Sequence, residues 1–259
     1  MAEEVGLCYQ RSAGKRPAVS FINVGEIAVL VLLFAGLSFT LSASAGMGGS
    51  LILVPALSLL LGAKQGIALS ALLLTGNNLA KLAAYRRTVP LKATLEVLVL
   101  LVAGSILGAR LLLAAPEHIV HIAIIASLSS AFLLEQVKFD GLGRGAAMLA
   151  AFFAGATSGF SGTSGPLKGL SLRRLSLDRL HYVGAASAVS LAGDLMKTAV
   201  FANGSLLDEQ SWTVMLWAIP LMPLAAFVGW RLNRRIGERA FAALFWTVMA
   251  GYSLRLILP

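Results

Sequence analysis

Two apolar segments of this sequence carry lysine in their interior, which is where charge is least expected. One contains Asn77, Asn78 and Lys81, and the other contains Asp194 and Lys197. Spacings of three and four residues place each group on one face of a helix. A charge inside an apolar helix costs about 2.5–3.5 kcal/mol on insertion scales and usually faces a cavity. The lysines and amides therefore form a candidate anion site, and Asp194 is the carboxylate best placed to relay a proton.

Two glycine-rich runs, Gly46–Ser50 and Gly162–Pro166, lie at matched positions 116 residues apart. Glycine disfavours a helix by about 1 kcal/mol, so each run predicts a non-helical break within apolar sequence. The half-helix after such a break presents free N–H groups and the positive end of its dipole, which suits an anion. The alternative is that the small residues simply allow helices to pack closely.

These two observations define the candidate site. The predicted substrate-binding residues are Gly46, Gly48, Gly49, Ser50, Asn77, Asn78, Lys81, Gly162, Thr163, Ser164, Gly165 and Lys197, with Asp194 as the coupling residue. Two alternatives remain open for the charged residues. The lysines lie four to six residues from the ends of their segments and could extend to the membrane surface, or Asp194 and Lys197 could form a purely structural pair.

The composition indicates a membrane protein. Of the 259 residues 58% are hydrophobic and 13% are charged, whereas soluble domains carry about 25% charged residues. The net charge of +9 lies in short connections between apolar segments, as in cytoplasmic loops, so it does not indicate nucleic-acid binding. The single cysteine, Cys8, excludes an internal disulfide.

The apolar segments predict an all-α bundle of membrane helices. They cover residues 24–45, 50–62, 66–86, 93–114, 118–136, 145–161, 181–203, 212–232 and 240–258. Most are long enough to cross about 30 Å of hydrocarbon. The basic, amphipathic stretch at 166–179 is expected to lie at an interface or to re-enter partway. The first segment is too long for a typical signal peptide, and its pattern recurs in mid-chain.

The two halves of the chain resemble each other. At the offset of 116 residues Asn78 falls on Asp194, and Lys81 falls on Lys197. We therefore predict an N-terminal tail at 1–23 and two membrane repeats at 24–137 and 138–259.

The charges of the connections predict that these repeats are inverted. Four connections are basic, near residues 86–92, 138–144, 168–179 and 231–239. Placing all four in the cytoplasm requires an odd number of crossings in each half, which inverts one half relative to the other. This topology leaves the N-terminal tail, with its own basic residues, on the outside, which counts against it.

An enzymatic alternative rests on Gly162–Gly165, which has the G-x-S-G form of the rhomboid intramembrane proteases. The serine would be Ser164, which needs a histidine within hydrogen-bond reach. The only histidine after it is His181, at the start of a predicted span. A membrane scaffold without transport activity is a further alternative.

The paired stretches GMGGSLILVP and SGTSGPLKGL, each followed by a polar, lysine-bearing segment and a G-A/W-R-L ending, resemble the sulfite exporter TauE/SafE family. The resemblance covers residues 28–258. It implies a permease with duplicated halves that moves a small anion, such as sulfite or an organosulfonate. Lys168, Arg173 and Arg174 depart from the family's usually more apolar second half.

The residues and the resemblance together predict a secondary transporter in the bacterial inner membrane. No catalytic residues, metal ligands or cofactors are expected, and no ATP-binding Walker motif is present. The expected partners are a small anionic substrate, the lipid bilayer and, as an open possibility, further copies of the chain.

Overall fold

The structure is a computed structural model that describes residues 24–45, 49–135 and 143–232. Those residues form ten α-helices. In chain order they are α1 (Val24–Ala45), α2 (Gly49–Leu61), α3 (Ala63–Tyr85), α4 (Leu91–Ala114), α5 (Glu117–Glu135), α6 (Arg144–Ser161), α7 (Gly165–Arg173), α8 (Arg179–Asn203), α9 (Glu209–Ala218) and α10 (Leu221–Leu232). The all-helical prediction is confirmed for this part of the chain. The last predicted span, 240–258, lies outside it.

The sequence predicts one span at 212–232, but the structure has two helices in this region. These helices, α9 and α10, meet at an angle of 45°. Pro220 lies between them, and proline has no N–H to donate to the preceding turn. Hydropathy does not reveal the bend, because apolar residues continue on both sides of Pro220.

The glycine-rich joints are shorter than predicted. Gly49 begins α2, and Gly165 begins α7, so these residues belong to first helical turns. Between α6 and α7 the helix stops at Gly162, whose φ of +80° lies in the left-handed region that favours glycine. Gly46 and Gly48 lie outside the described residues.

Several helix boundaries recur at one spacing. Helices end at Ala45 and Ser161, and the next helices begin at Gly49 and Gly165. The long helices α3 and α8 then begin at Ala63 and Arg179. Each pair of positions is 116 residues apart.

The connections segregate by charge. Around the basic connections, Thr88 lies against Gly184, and Arg144 forms an ion pair with Glu96. Around the opposite connections, the backbone N–H of Ala63 donates to Glu117 at 2.8 Å. Gln65 reaches Asp208 there at 3.4 Å. The described parts of the connections near residues 86–92, 144 and 179 therefore lie at one end of the helices, and those near residues 62–63, 114–117 and 204–208 lie at the other.

Apolar side chains cover the outside of the bundle. Leu91, Leu95 and Val99 follow one another at four-residue spacing on α4, and each is more than half exposed. Val29 and Leu33 form a similar stripe on α1. By length and composition, α4 could cross a membrane unaided, and the bent pair α9–α10 could do so as one span. Polar residues in their interiors lower the hydropathy of α3 and α8, the helices that carry the candidate site.

Glycine contacts bring α4 and α6 unusually close. A Cβ atom at Gly155 would lie 2.0 Å from the carbonyl oxygen of Leu101, and one at Gly108 would lie 2.1 Å from that of Ala156. Gly104 and Gly159 are equally confined. Because the obstacles are backbone atoms, the helices would have to separate to admit any side chain. Close approach through such glycines is a common way for membrane helices to associate.

We expect Gly155→Ala to lower the free energy of unfolding by about 1–3 kcal/mol, the usual cost of overpacking. The matched control is Gly36→Ala, because a Cβ at Gly36 meets nothing within 4 Å. Alanine also has the better helix propensity, so this control should be neutral or stabilising. Thermal unfolding of both purified variants in one detergent provides the measurement. Equal stability of the two variants would contradict the close-packing account.

Candidate functional site

The site is built where α3 crosses α8. The Nδ2 of Asn78 donates to one carboxylate oxygen of Asp194 at 2.6 Å, and the Nζ of Lys197 lies 2.7 Å from the other. Asp194 is 7% exposed and Lys197 is 1% exposed. A buried carboxylate is tolerated when both its charge and its lone pairs are matched in this way. The pairing fixes Asp194 at the centre of the crossing.

Two lysines make the same contact with two serines. Lys81 donates from Nζ to Ser42 Oγ at 2.9 Å, and Lys197 donates to Ser158 Oγ at 2.8 Å. Each serine precedes its lysine by 39 residues. Lys81 is only 5% exposed. Both ammonium groups therefore form hydrogen bonds inside the protein. The alternative that these lysines extend to the membrane surface does not fit this arrangement.

A cavity of about 40 Å³ opens beside these contacts. One water needs about 10–15 Å³ by a comparable measure, so the space suits a few waters or one small oxyanion. Polar groups and a few apolar residues from several helices surround it. The lining residues are Ser42, Gly49, Ser50, Leu74, Asn78, Lys81, Leu101, Ser158, Ser164, Lys168, Ser190, Gly193 and Asp194.

Two helices begin at this cavity. Gly49 and Ser50 form the start of α2, and Ser164 occupies the N-cap position of α7. The first N–H groups of a helix have no partner within it, and they carry the positive end of the dipole. Two helix starts at one small cavity provide a concentrated set of anion-binding donors.

Lys168 adds a further cation. It lies in the first turns of α7, lines the cavity and donates from Nζ to Ser190 Oγ at 2.8 Å. The sequence predicts that the 166–179 stretch lies at an interface or re-enters partway, and its basic end does hold the exposed Arg173. Leu170 and Leu172 are buried, however, and Lys168 faces the cavity.

The structure brings together part of the predicted site. Gly49, Ser50, Asn78, Lys81, Ser164 and Asp194 line one cavity. Lys197 forms an ion pair with Asp194 but is not among the residues that line the cavity. Gly162 packs against Val54 and Ile67. The hydroxyl of Thr163 donates to Ser127 at 2.9 Å.

Asn77 and Gly165 complete that comparison. Asn77 is fully buried, and neither amide atom has a hydrogen-bond partner in the described part of the chain. It is not among the cavity's lining residues. Gly165 supplies the first residue of α7.

Seven lining residues were not predicted from the sequence, and four of them have polar side chains: Ser42, Ser158, Lys168 and Ser190. Ser42 and Ser158 are 116 positions apart, so the same offset that pairs Lys81 with Lys197 would have found them. In the sequence analysis, Lys168 belongs to a basic connection and departs from the family's apolar pattern, but it is not identified as a site residue. Its burial could not be inferred from a short, basic, amphipathic stretch.

The protease alternative requires a hydrogen bond between Ser164 and His181, which the described residues do not form. The ring of His181 pairs with Asp178 at 2.5 Å and is largely exposed. The backbone N–H of His181 also donates to Asp178, which caps α8 and whose pKa this bond lowers. Ser164 instead lines the cavity together with Lys168. Among the described residues no hydrogen bond joins Ser164 to His181.

The sequence model of the sulfite exporter TauE/SafE family matches residues 28–256. The chain belongs to that family. No curated protein and no solved structure matches it. As a member of the TauE/SafE family, it is a membrane transport protein.

Proposed function

We propose that this TauE/SafE protein is a secondary transporter for a small oxyanion, most simply an oxyanion of sulfur such as sulfite or an organosulfonate. The observation that carries the proposal is the cavity in which Lys81 and Lys168 meet the starts of α2 and α7. Ammonium groups, helix N–H groups and serine hydroxyls are all donors that bind oxyanions without a metal.

The net charge of the site supports an anion. Asp194 is already paired with Lys197. Among the described residues, Lys81 and Lys168 donate to the hydroxyls of Ser42 and Ser190, which are neutral. Two cations in a confined space disfavour a cationic substrate and favour an anionic one.

We further propose that residues 24–137 and 138–259 are two repeats related by inversion. The helix boundaries and the lysine–serine contacts recur at the 116-residue offset. The corresponding residues Asn78 and Asp194 contact each other directly. A pair of equivalent residues in contact lies on, or beside, the axis that relates the two halves.

The direction of the two long helices supports inversion. Gln65, near the start of α3, reaches Asp208 beyond the end of α8. Thr88, beyond the end of α3, lies against Gly184 near the start of α8. The equivalent helices therefore run antiparallel, which supports a relating axis that crosses them and lies in the membrane plane. Such repeats are common in transporters that work by alternating access.

In this proposal α1–α2 and α6–α7 are broken helices that enter from opposite sides and stop at the cavity. The basic connections lie in the cytoplasm of a bacterial cell, following the positive-inside rule. Asp194 is the coupling residue, because it is the carboxylate among the described lining residues. Protonation of Asp194 would release Lys197 and increase the positive charge at the site.

We expect Lys81→Gln to raise the apparent KM for the anion roughly tenfold to a hundredfold, because it removes a charge-assisted hydrogen bond. The matched control is Lys64→Gln. Lys64 donates to the carbonyl of Leu113, outside the cavity lining. Uptake into proteoliposomes is measured over a panel of small anions at equal reconstituted protein. A parent that moves none of them supports a scaffold, and an unchanged KM in Lys81→Gln would remove this lysine from the site.

We expect Asp194→Asn to abolish the response of anion flux to an imposed pH gradient while retaining anion binding. The substitution removes the titrating carboxylate but keeps the side chain's shape. The control is Asp178→Asn, an exposed helix cap at which asparagine caps equally well. If Asp194→Asn still responds to the gradient as the parent does, coupling resides elsewhere.

Inversion predicts that equivalent exposed positions face opposite sides of the membrane. In a Cys8→Ser background, Arg87→Cys and Asn203→Cys are 116 positions apart, and both native side chains are exposed. A membrane-impermeant maleimide should label one in intact cells and the other in inside-out vesicles. Arg174→Cys is the control and should label from the same side as Arg87→Cys. Labelling of Arg87→Cys and Asn203→Cys from one side would contradict inversion.

A further inference from the structure

One cation of the cavity has no equivalent in the other half of the chain. Counted back by 116 positions, Lys168 falls on Ile52 and Ser190 falls on Leu74. Ile52 is 0% exposed and Leu74 is 4% exposed. One half therefore places an apolar pair where the other half places a hydrogen-bonded lysine and serine. The lysine at this position is not required by the shared architecture of the halves.

The charge balance shows what this difference does. The charged side chains that line the cavity or bond directly to its lining are Lys81, Lys168, Lys197 and Asp194 in the described part of the chain. When all four groups are ionised, three positive charges and one negative charge leave an excess of two. Without Lys168 the excess would be one. Charge buried away from water is unfavourable until an opposite charge compensates it.

The hydrogen-bond donors of Lys81 and Lys168 also favour an anionic ligand in the cavity. An ammonium group has three N–H donors and no acceptor. Lys81 and Lys168 each use one of them on a serine, Ser42 and Ser190 respectively. Among the described residues neither lysine makes a further hydrogen bond, so two N–H groups on each can donate to a ligand. The two serines accept from the lysines, and their own hydroxyl hydrogens can also act as donors.

We infer that Lys168 sets the charge of the substrate, so that this site selects a small doubly charged oxyanion over a singly charged oxyanion of similar size. The inference rests on the proposed function and assigns its selectivity to one residue. A dianion neutralises the site completely, whereas a monoanion leaves one buried positive charge. Replacing Lys168 by a neutral residue should shift the preference towards monoanions, because a single negative charge then neutralises the site.

The test compares one dianion with one monoanion. Sulfate, which is doubly charged at neutral and mildly acidic pH, and methanesulfonate, a singly charged anion of similar size, are offered at mildly acidic pH to proteoliposomes that contain the parent or Lys168→Met. We expect the parent to favour sulfate in kcat/KM. In Lys168→Met the preference should fall roughly tenfold to a hundredfold, mainly through weaker use of sulfate. The ratio is the decisive readout, because a loss of folded protein would lower both rates together.

Three further variants sharpen the comparison. Lys168→Arg retains the charge and should retain the preference, whereas Lys64→Met removes a lysine outside the cavity and should leave it unchanged. If Lys168→Met fails to assemble, Lys168→Gln removes the charge and retains a hydrogen-bond donor for Ser190. An unchanged ratio in the neutral variants, or a parent that uses both anions equally, would overturn the inference while leaving anion transport intact. A parent that moves neither anion, nor any other on the panel, would overturn the proposed function and the inference with it.

Discussion

A positive charge that leaves water must be matched by negative charge, and this constraint organises the centre of the protein. Asp194 satisfies it for Lys197, with Asn78 completing the carboxylate's hydrogen bonds. Lys81 and Lys168 donate to serine hydroxyls, which supply hydrogen bonds but no charge. Charge on these lysines is stabilised by water or by an anion in the cavity. In the proposed function, the transported anion supplies that matching negative charge.

The rest of the fold can be understood as the means of placing these charges together. The long helices α3 and α8 run antiparallel and meet at Asn78 and Asp194. The short helices α2 and α7 begin at the cavity, so their free N–H groups add to its positive potential. Glycines allow α4 and α6 to touch backbone to backbone. The apolar outer faces of α1 and α4 leave the polar groups confined to the interior.

Much of this arrangement could be predicted from the sequence, because apolar length and internal repetition are strong signals. The helix at Val24–Ala45 matches its predicted bounds. The 116-residue offset predicted that Lys81 and Lys197 occupy corresponding positions, and each donates to a serine 39 residues before it. Lys168 could not be predicted, because a local sequence does not reveal whether a basic helix faces lipid headgroups or a buried cavity. The bend near Pro220 was hidden by continuous hydropathy. Asn77 was predicted because it precedes Lys81 by four residues, which can place both on one helix face, yet Asn77 is buried away from the cavity lining.

The most direct test is to locate a bound oxyanion in an experimental structure. Selenite is suitable because it resembles sulfite in shape, and its selenium can be identified by anomalous scattering. The account predicts one selenium peak between the starts of α2 and α7, with selenite oxygens within hydrogen-bond distance of the Nζ atoms of Lys81 and Lys168. A peak at a separate site, or an empty cavity in protein shown to transport selenite under the same conditions, would contradict it.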